Sequence, residues 1–489
     1  MPLTRLVHRL VLACCGATAM AIALPAASAA TRAAAADPVP TAPPPAPALL
    51  LPESGLSGQR AIDTLGPALD AVARWHRRSP DALRRALLSD PTLRLDARGR
   101  LYVVDTLDRP LPATPAPERA SPAYLDQPIP LEYTFLLHSR PLARRTIYLD
   151  FDGAVLTNTA WNSGGAPIDA PAFDLDGNPA SFNDEELRRI QAIWQRVAED
   201  FAPLDVDVTT QVPAASRLTR SSSADTSFGT TVLITRRDGV YVCGCGGVAY
   251  VGVFDYVGDY YKPALVFFDA LGGGHDKYVA EAISHEAGHN LGLSHDGYSG
   301  GSYYTGHGTG DTGWAPIMGV GYYQPVVQWS KGEYATADNL EGDFLVMGNH
   351  GLPLRRDDHG ATSATATPLH ADTQAGVSTL SGTGVIESSS DRDWFSFKAG
   401  AGRATFTVTG ATPSPNLDVH LRVLDGTGRS IAVANPAATL SATVSVTLPS
   451  AGLYYLAVDG VGVNDPATTG YSDFGSVGQY RVTGTAPAP

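Results

Sequence analysis

Cysteine is scarce in this chain. Of the four in 489 residues, Cys14 and Cys15 sit in an N-terminal apolar run, which leaves only Cys243 and Cys245. A framework of several disulfides is excluded. The remaining pair, in VYVCGCGGVAY, can close a small loop, order a glycine turn as two thiols, or bind a metal. Positive charge is also short. Lys+Arg number 35 against 49 Asp+Glu, a formal net charge of −14, and no basic tract is present. That excludes the electrostatic footprint nucleic acid requires and predicts no nucleic-acid partner. Long apolar runs are missing beyond the first thirty residues. None reaches the ~18–20 residues of a spanning helix, so no membrane span is expected. What is abundant is turn-forming: 50 Gly and 37 Pro favour loops and β-structure over helix bundles.

Composition divides the chain. Arg5 and Arg9 precede an apolar run from Leu10 to Leu24, and Ala27-Ser28-Ala29 is a small-residue cleavage site. Residues 1–29 are therefore expected to be a secretory signal and the mature protein to be extracellular, with the periplasm as one route. Cys14 lies too early in the run for a lipoprotein cysteine. Residues 30–140 form a linker and pro-region or N-terminal region, opening with the Ala/Pro stretch AAAADPVPTAPPPAPA. Helical patterns run near Ile62–Arg77 and Ser79–Leu88, the second started by Pro80. A strand is predicted at Leu101–Val104, and Pro110 to Pro117 break order. No chemistry is assigned to this region.

From Thr146 the texture changes. TIYLDFDG is a strand pattern. Asn183, with Glu186 three residues on, caps a helix over 184–200, whose apolar stripe is Leu187, Ile190, Trp194, Val197 and Phe201. Strand patterns follow at 206–210, 231–235, 247–254 and 264–269, then a helix from Lys277 to Leu291. This order implies a mixed sheet packed by helices. FDLDGN places Asp174 and Asp176 beside a glycine but lacks the glutamate of a calcium loop in register, so a polar turn is the reading. After Leu352 the polar stretch LRRDDHGATSATATP is a linker that few contacts should cross. Residues 362–486 are short strand patterns between Gly, Pro and Asn turns, which predicts an all-β sandwich over 353–489.

The stretch HEAGHNLGLSHD carries chemistry. On a helix His285 and His289 share one face, one turn apart, and both imidazoles can reach one zinc. Gly292 can end the helix and turn the chain back, bringing His295 to the same metal. Three protein ligands leave a fourth position open for water, which is the pattern of a catalytic site. Glu286, beside the first histidine, is placed as the general base. His307, in YYTGHGTGDTG, is read as a loop histidine.

The full HExxHxxGxxH string resembles the metzincin zinc peptidases, and the aspartate after its third histidine, Asp296, resembles their reprolysin (adamalysin) branch. The likeness covers about 146–350. PIMGVGYY resembles the methionine turn of that family, with Met318 23 positions after His295. GVAYVGVF is similar to its substrate-binding edge strand. The resemblance implies an α/β (α+β) catalytic domain over 141–352 with a mixed five-stranded sheet and an active-site helix, holding Zn2+ on His285, His289 and His295. Some metzincins add a tyrosine ligand two positions after the turn methionine. Val320 stands there, so none is assigned, and Tyr322 is the remaining candidate. Many reprolysin relatives are kept latent by a prodomain cysteine. Residues 30–140 have none, so any latency works another way. DRDWFSF, NLDVHLRVLDGTG and GLYYLAVDG resemble the bacterial pre-peptidase C-terminal domain, a jelly-roll-like accessory module of secreted proteases. Calcium is common in that family, with Asp391, Asp393 and Asp418 the natural ligands here.

The expected function is that of a secreted, monomeric zinc endopeptidase acting on protein or peptide substrates. A different class of protein would also fit the architecture: a secreted binding protein or adhesin with an inactive peptidase-like domain. A zinc hydrolase of non-peptide amides is a further alternative. Loss of activity normally shows at the glutamate or a ligand, and none is missing.

Overall fold

The computed structural model describes residues 3–4, 44–107, 111, 128–163 and 165–489. The expected signal segment falls outside these residues save for a two-residue strand, Leu3–Thr4. The prolines from 110 to 117 also fall outside them.

Among the described residues, the N-terminal region builds three α-helices and a hairpin. The pattern over Ile62–Arg77 forms two helices, α1 (Gly58–Leu65) and α2 (Leu69–Trp75), because Gly66 with positive φ and Pro67 interrupt it. In α3 (Pro80–Ser89) Pro80 occupies the first turn, and the Ser79 side chain accepts from the amide of Ala82. Strands β1 (Leu93–Leu95) and β2 (Leu101–Thr106) follow, paired antiparallel.

The next strands are β3 (Arg145–Asp150), β4 (Val206–Thr209), β5 (Phe228–Thr235), β6 (Cys245–Tyr250) and β7 (Ala264–Phe267). They join the N-terminal hairpin in one sheet of order β1-β2-β6-β7-β5-β3-β4. The expected mixed five-stranded sheet is present as β6-β7-β5-β3-β4, with β6 antiparallel to β7 and the others parallel. The sheet as a whole has seven strands, and β6 is not an edge. β2 pairs with it antiparallel, Val104 opposite Val248 and Asp105 opposite Gly247. The sequence pattern identified β6 as a strand but carried no information on its partner.

Two further helices pack on the β3–β7 part of this sheet, and α1–α3 pack on its hairpin. α4 (Asp184–Asp200) begins with a reciprocal cap between Asn183 and Glu186, and it buries Leu187, Ile190, Ile193 and Val197. α5 (Asp276–Asn290) is buried from Lys277 to Asn290. Its one lysine, Lys277, is buried against Glu281 at 2.9 Å. Met318, Leu291 and Leu293 share the core with both helices. Cys243 and Cys245 are joined as a disulfide just before and at the start of β6.

Residues 367–487 form the expected sandwich of two five-stranded sheets. One contains Arg392–Ala399, Gly452–Gly460 and Val419–Leu424. The other contains Val377–Ile386, Gly478–Pro487 and Gly402–Gly410. Phe395, Phe397, Phe406 and Leu421 fill the space between them. The expectation of few contacts across the linker is not met. Asn416 donates to Asp200 Oδ1 (2.9 Å), Gln479 donates its amide and side chain to Glu199, and Phe344 packs on Phe474. Trp314, Val326 and Tyr334 share an apolar cluster with Leu440, Val463 and Tyr471. A polar linker says nothing about the surfaces on either side of it.

Asp200 is buried at this junction, where it also accepts from Ser284 at 2.6 Å. Burial, and then the charge of Glu281, push its carboxyl up to about 7. A carboxyl raised in the folded state binds its proton more tightly there than in the unfolded chain. The stability it contributes is complete below about pH 4 and is lost as pH rises to about 7. Thermal unfolding of Asp200→Asn should therefore lack that share of the decline seen in the parent between about pH 4 and 7. A parent-minus-variant difference in Tm that does not vary with pH would contradict this assignment.

Candidate metal centre

Helix α5 presents His285 and His289 one turn apart, and Gly292, with φ of +96°, turns the chain so that His295 meets them. Each ring is anchored through Nδ1. His285 donates to the carbonyl of Ile317 (2.9 Å), His289 to that of Leu293 (2.9 Å), and His295 to the Asp90 carboxylate (2.8 Å). These bonds fix ring orientation and direct the three Nε2 atoms to a common point. His289 Nε2 and His295 Nε2 are 3.1 Å apart. Two nitrogens bound to one tetrahedral zinc at 2.0–2.1 Å would be about 3.3 Å apart. His285 Nε2 is buried without a hydrogen-bond partner, an orphan that a metal ion would satisfy. The donor set therefore fits zinc.

A fourth group stands at the same point. Asp105, at the end of β2, places Oδ1 2.8 Å from His295 Nε2 and Oδ2 3.5 Å from His289 Nε2. With the three histidines it forms a cluster whose ligand atoms all lie within 4.8 Å of one another. Tyr303 donates to Asp105 Oδ1 (2.8 Å), and its ring lies against His295. Sequence reading did not select Asp90, Asp105 or Tyr303. The available signal was a carboxylate, Asp105, following the apolar run LYVV, in a region to which no chemistry had been assigned.

The electrostatics are those of a buried, tightly coupled group. Burial lowers His289 to about 4, so it is neutral. Burial opposes charge on His295 as well, but Asp90 and Asp105 outweigh it and raise the ring to about 10. Metal binding must release that proton. Glu286 is buried beside β6, where a Cβ on Gly247 would stand 2.0 Å from Glu286 Oε1, so only glycine lets strand and helix approach this closely. Burial, then the charge of Asp105, hold the Glu286 carboxyl well above the usual range.

Met318 is fully buried under the helix, at a position where a Cβ on Gly288 would reach its Sδ at 2.5 Å. Its carbonyl accepts from the amide of Asp296 (2.8 Å). Asp296 is fully buried, and desolvation raises it to about 8. The ring of Tyr322 packs on Tyr278, and the residue lines the cavity that Tyr303 also lines. His307 has both ring nitrogens engaged elsewhere, by Tyr304 and the Gly470 carbonyl. A cavity of about 220 Å3 beside Asp105 is lined by Leu107, Tyr303, Thr305, Val320 and Tyr322, among others.

Of the three acidic residues expected to bind calcium, two meet. Asp391 and Asp393 gather with Asp357. Asp393 is fully buried and takes a bond from Tyr480 on Oδ2, while its Oδ1 has no hydrogen-bond partner. Asp418 lies apart, accepting from Tyr471 (2.9 Å). Asp174 behaves as the expected polar turn, its Oδ1 accepting three backbone amides, although with Asp176 and Glu186 it also forms an acidic group.

Residues 391–460 match the bacterial pre-peptidase C-terminal domain. No curated protein matches the chain. Two solved structures are similar to part of it. The pre-peptidase C-terminal domain of a Bacillus anthracis collagenase is 15% identical, covering 24% of this chain and 93% of its own, with a TM-score of 0.18. The periplasmic g-type lysozyme inhibitor of Aeromonas hydrophila is 16% identical, with coverage of 24% and 94% and the same TM-score of 0.18. Among the described residues no helix is long and apolar enough to cross a membrane.

His295→Ala and His307→Ala separate the two candidates for third ligand. After dialysis against zinc-free buffer, the first should retain much less zinc than the parent and the second should match it. Equal zinc in both variants would move the third ligand elsewhere.

Proposed function

We propose that the chain is a secreted zinc-dependent endopeptidase of the metzincin type, with residues 141–352 as the catalytic domain. The observation that carries the reading is the convergence of three Nδ1-anchored imidazoles beside a buried glutamate. The C-terminal domain, a module typical of secreted bacterial proteases, supports it independently. His285, His289 and His295 would hold the ion. Zinc, when bound, supplies Lewis acidity and a water of lowered pKa.

The chain's own residues do the rest. Glu286 accepts a proton from the attacking water and delivers it to the leaving amine. β6 would offer backbone groups to an extended substrate once β2 no longer pairs with it, in the way peptides add to a sheet edge. The cavity lined by Tyr303, Val320 and Tyr322 is placed to take a substrate side chain. Both the catalytic glutamate and all three histidines are present, which disfavours an adhesin with a dead peptidase domain.

Glu286→Ala should retain about one zinc per chain while hydrolysis of casein and short peptides falls by several orders of magnitude. A chelator should abolish the parent's activity. A variant that keeps both its zinc and most of its rate would sink the mechanism, and a zinc-bound protein that cleaves no peptide after its N-terminal region has been cut away would favour the adhesin reading.

We also propose a calcium site in the sandwich at Asp357, Asp391 and Asp393, because Asp393 Oδ1 is buried there without a hydrogen-bond partner. Millimolar calcium should raise the Tm of the parent, and Asp393→Asn should remove that gain. An equal rise in both proteins would place the ion elsewhere.

A further inference from the structure

The N-terminal region reaches the candidate zinc site at three points. β2 covers the free side of β6 over Tyr102–Thr106, in the antiparallel pairing that a substrate strand would use. Asp105 reaches the point where the three Nε2 atoms converge. Leu107 and Leu111, which follow it, line the side-chain cavity.

The region is also firmly held. Arg77 bonds Asp255 at 2.6 Å, Arg78 donates to Ser294 at 2.6 Å, and Arg100 donates to the Val251 carbonyl at 2.7 Å. Asp90, from the same region, orients His295. The strand, the carboxylate and the following leucines thus fill, in order, the places of a substrate backbone, the fourth metal position and a substrate side chain.

We propose that residues 44–107 are an inhibitory segment of this same chain, with Asp105 as the fourth zinc ligand. The proposal rests on the zinc peptidase reading above. A metal bound by four protein groups has the closed arrangement of a structural site, whereas catalysis needs one position open to water. A carboxylate is a suitable fourth donor, since zinc accepts Asp oxygens alongside imidazole. Tyr303 holds its Oδ1 in place. The arrangement would hold the chain latent without any cysteine in residues 30–140. Chain connectivity makes the inhibitor effectively concentrated at the site, so no high intrinsic affinity is required.

The test uses the full chain loaded with zinc, and with cobalt as a spectroscopic substitute. Asp105→Ala and the near-isosteric Asp105→Asn should each keep about one metal per chain. Their visible cobalt spectrum should differ from the parent's, because a ligand has changed. Each should also cleave a short peptide at least about tenfold faster than the uncut parent, a change of roughly 1.4 kcal/mol in barrier. Adding Glu286→Ala to either should silence the gain. If the metal is bound but either the spectrum or the rate is unchanged in both variants, the inhibitory assignment is overturned and the peptidase reading stands. A parent that binds neither metal overturns both.

Discussion

Three Nδ1 hydrogen bonds determine what this structure can do. An imidazole is a useful ligand only when its lone pair points at the metal, and burial alone does not aim it. The acceptors come from three places: the Ile317 carbonyl just before the buried methionine, the Leu293 carbonyl after the glycine turn, and the Asp90 carboxylate of the N-terminal region. Each segment is therefore constrained by the need to present an acceptor at a defined point. Gly292 must turn, Met318 must fit under Gly288, and Gly247 must lack a Cβ where β6 passes Glu286. These are requirements of geometry on separate parts of the chain, satisfied together.

The same logic extends outward through the helices. α5 is buried on all sides, so its polar groups need internal partners. Ser284 bonds Asp200 at the end of α4, and Asp200 in turn takes Asn416 from the sandwich. Glu199, its neighbour, takes Gln479. Buried acids at a helix C-terminus are unfavourable, since the local dipole already repels negative charge. Here they are tolerated because donors from the second unit satisfy them. The sandwich consequently completes the polar bonding of the helix that packs against the metal-site helix.

How much of this was legible depended on whether the information was local. The histidine string, the Asn183 cap, the Pro80 start and the alternating strands of the sandwich are written in short windows, and the elements form where those windows place them. Met318 was singled out by the resemblance of PIMGVGYY to a methionine turn, and it lies buried against Gly288. Partner choice was not legible. Nothing in GVAYVGVF states that LYVVDT will lie beside it, since both are ordinary strand patterns and 139 residues separate Thr106 from Cys245. The same gap hid Asp90, Asp105 and Tyr303, each of which matters only through a contact distant in sequence. The polar linker misled for a related reason, because its composition described the connection and the contacts lie elsewhere.

A sheet edge that binds extended peptides is also an exposed edge, which a protein must protect from unwanted pairing. Here the N-terminal hairpin supplies that protection by making β6 an interior strand. The carboxylate at the hairpin's end also adds to Asp90 a second counter-charge for the buried cationic or metal-bearing cluster. The two needs coincide in space because Gly247, opposite Asp105, is also the residue that lets β6 touch Glu286. Backbone pairing and charge compensation thus meet at one register position. A one-residue slip of β2 would turn Asp105 to the other face of the sheet and lose the second while keeping much of the first. The bulge between Cys245 and Gly247, beside the Asp105 pair, marks a departure from regular register at the position where the carboxylate meets the histidines.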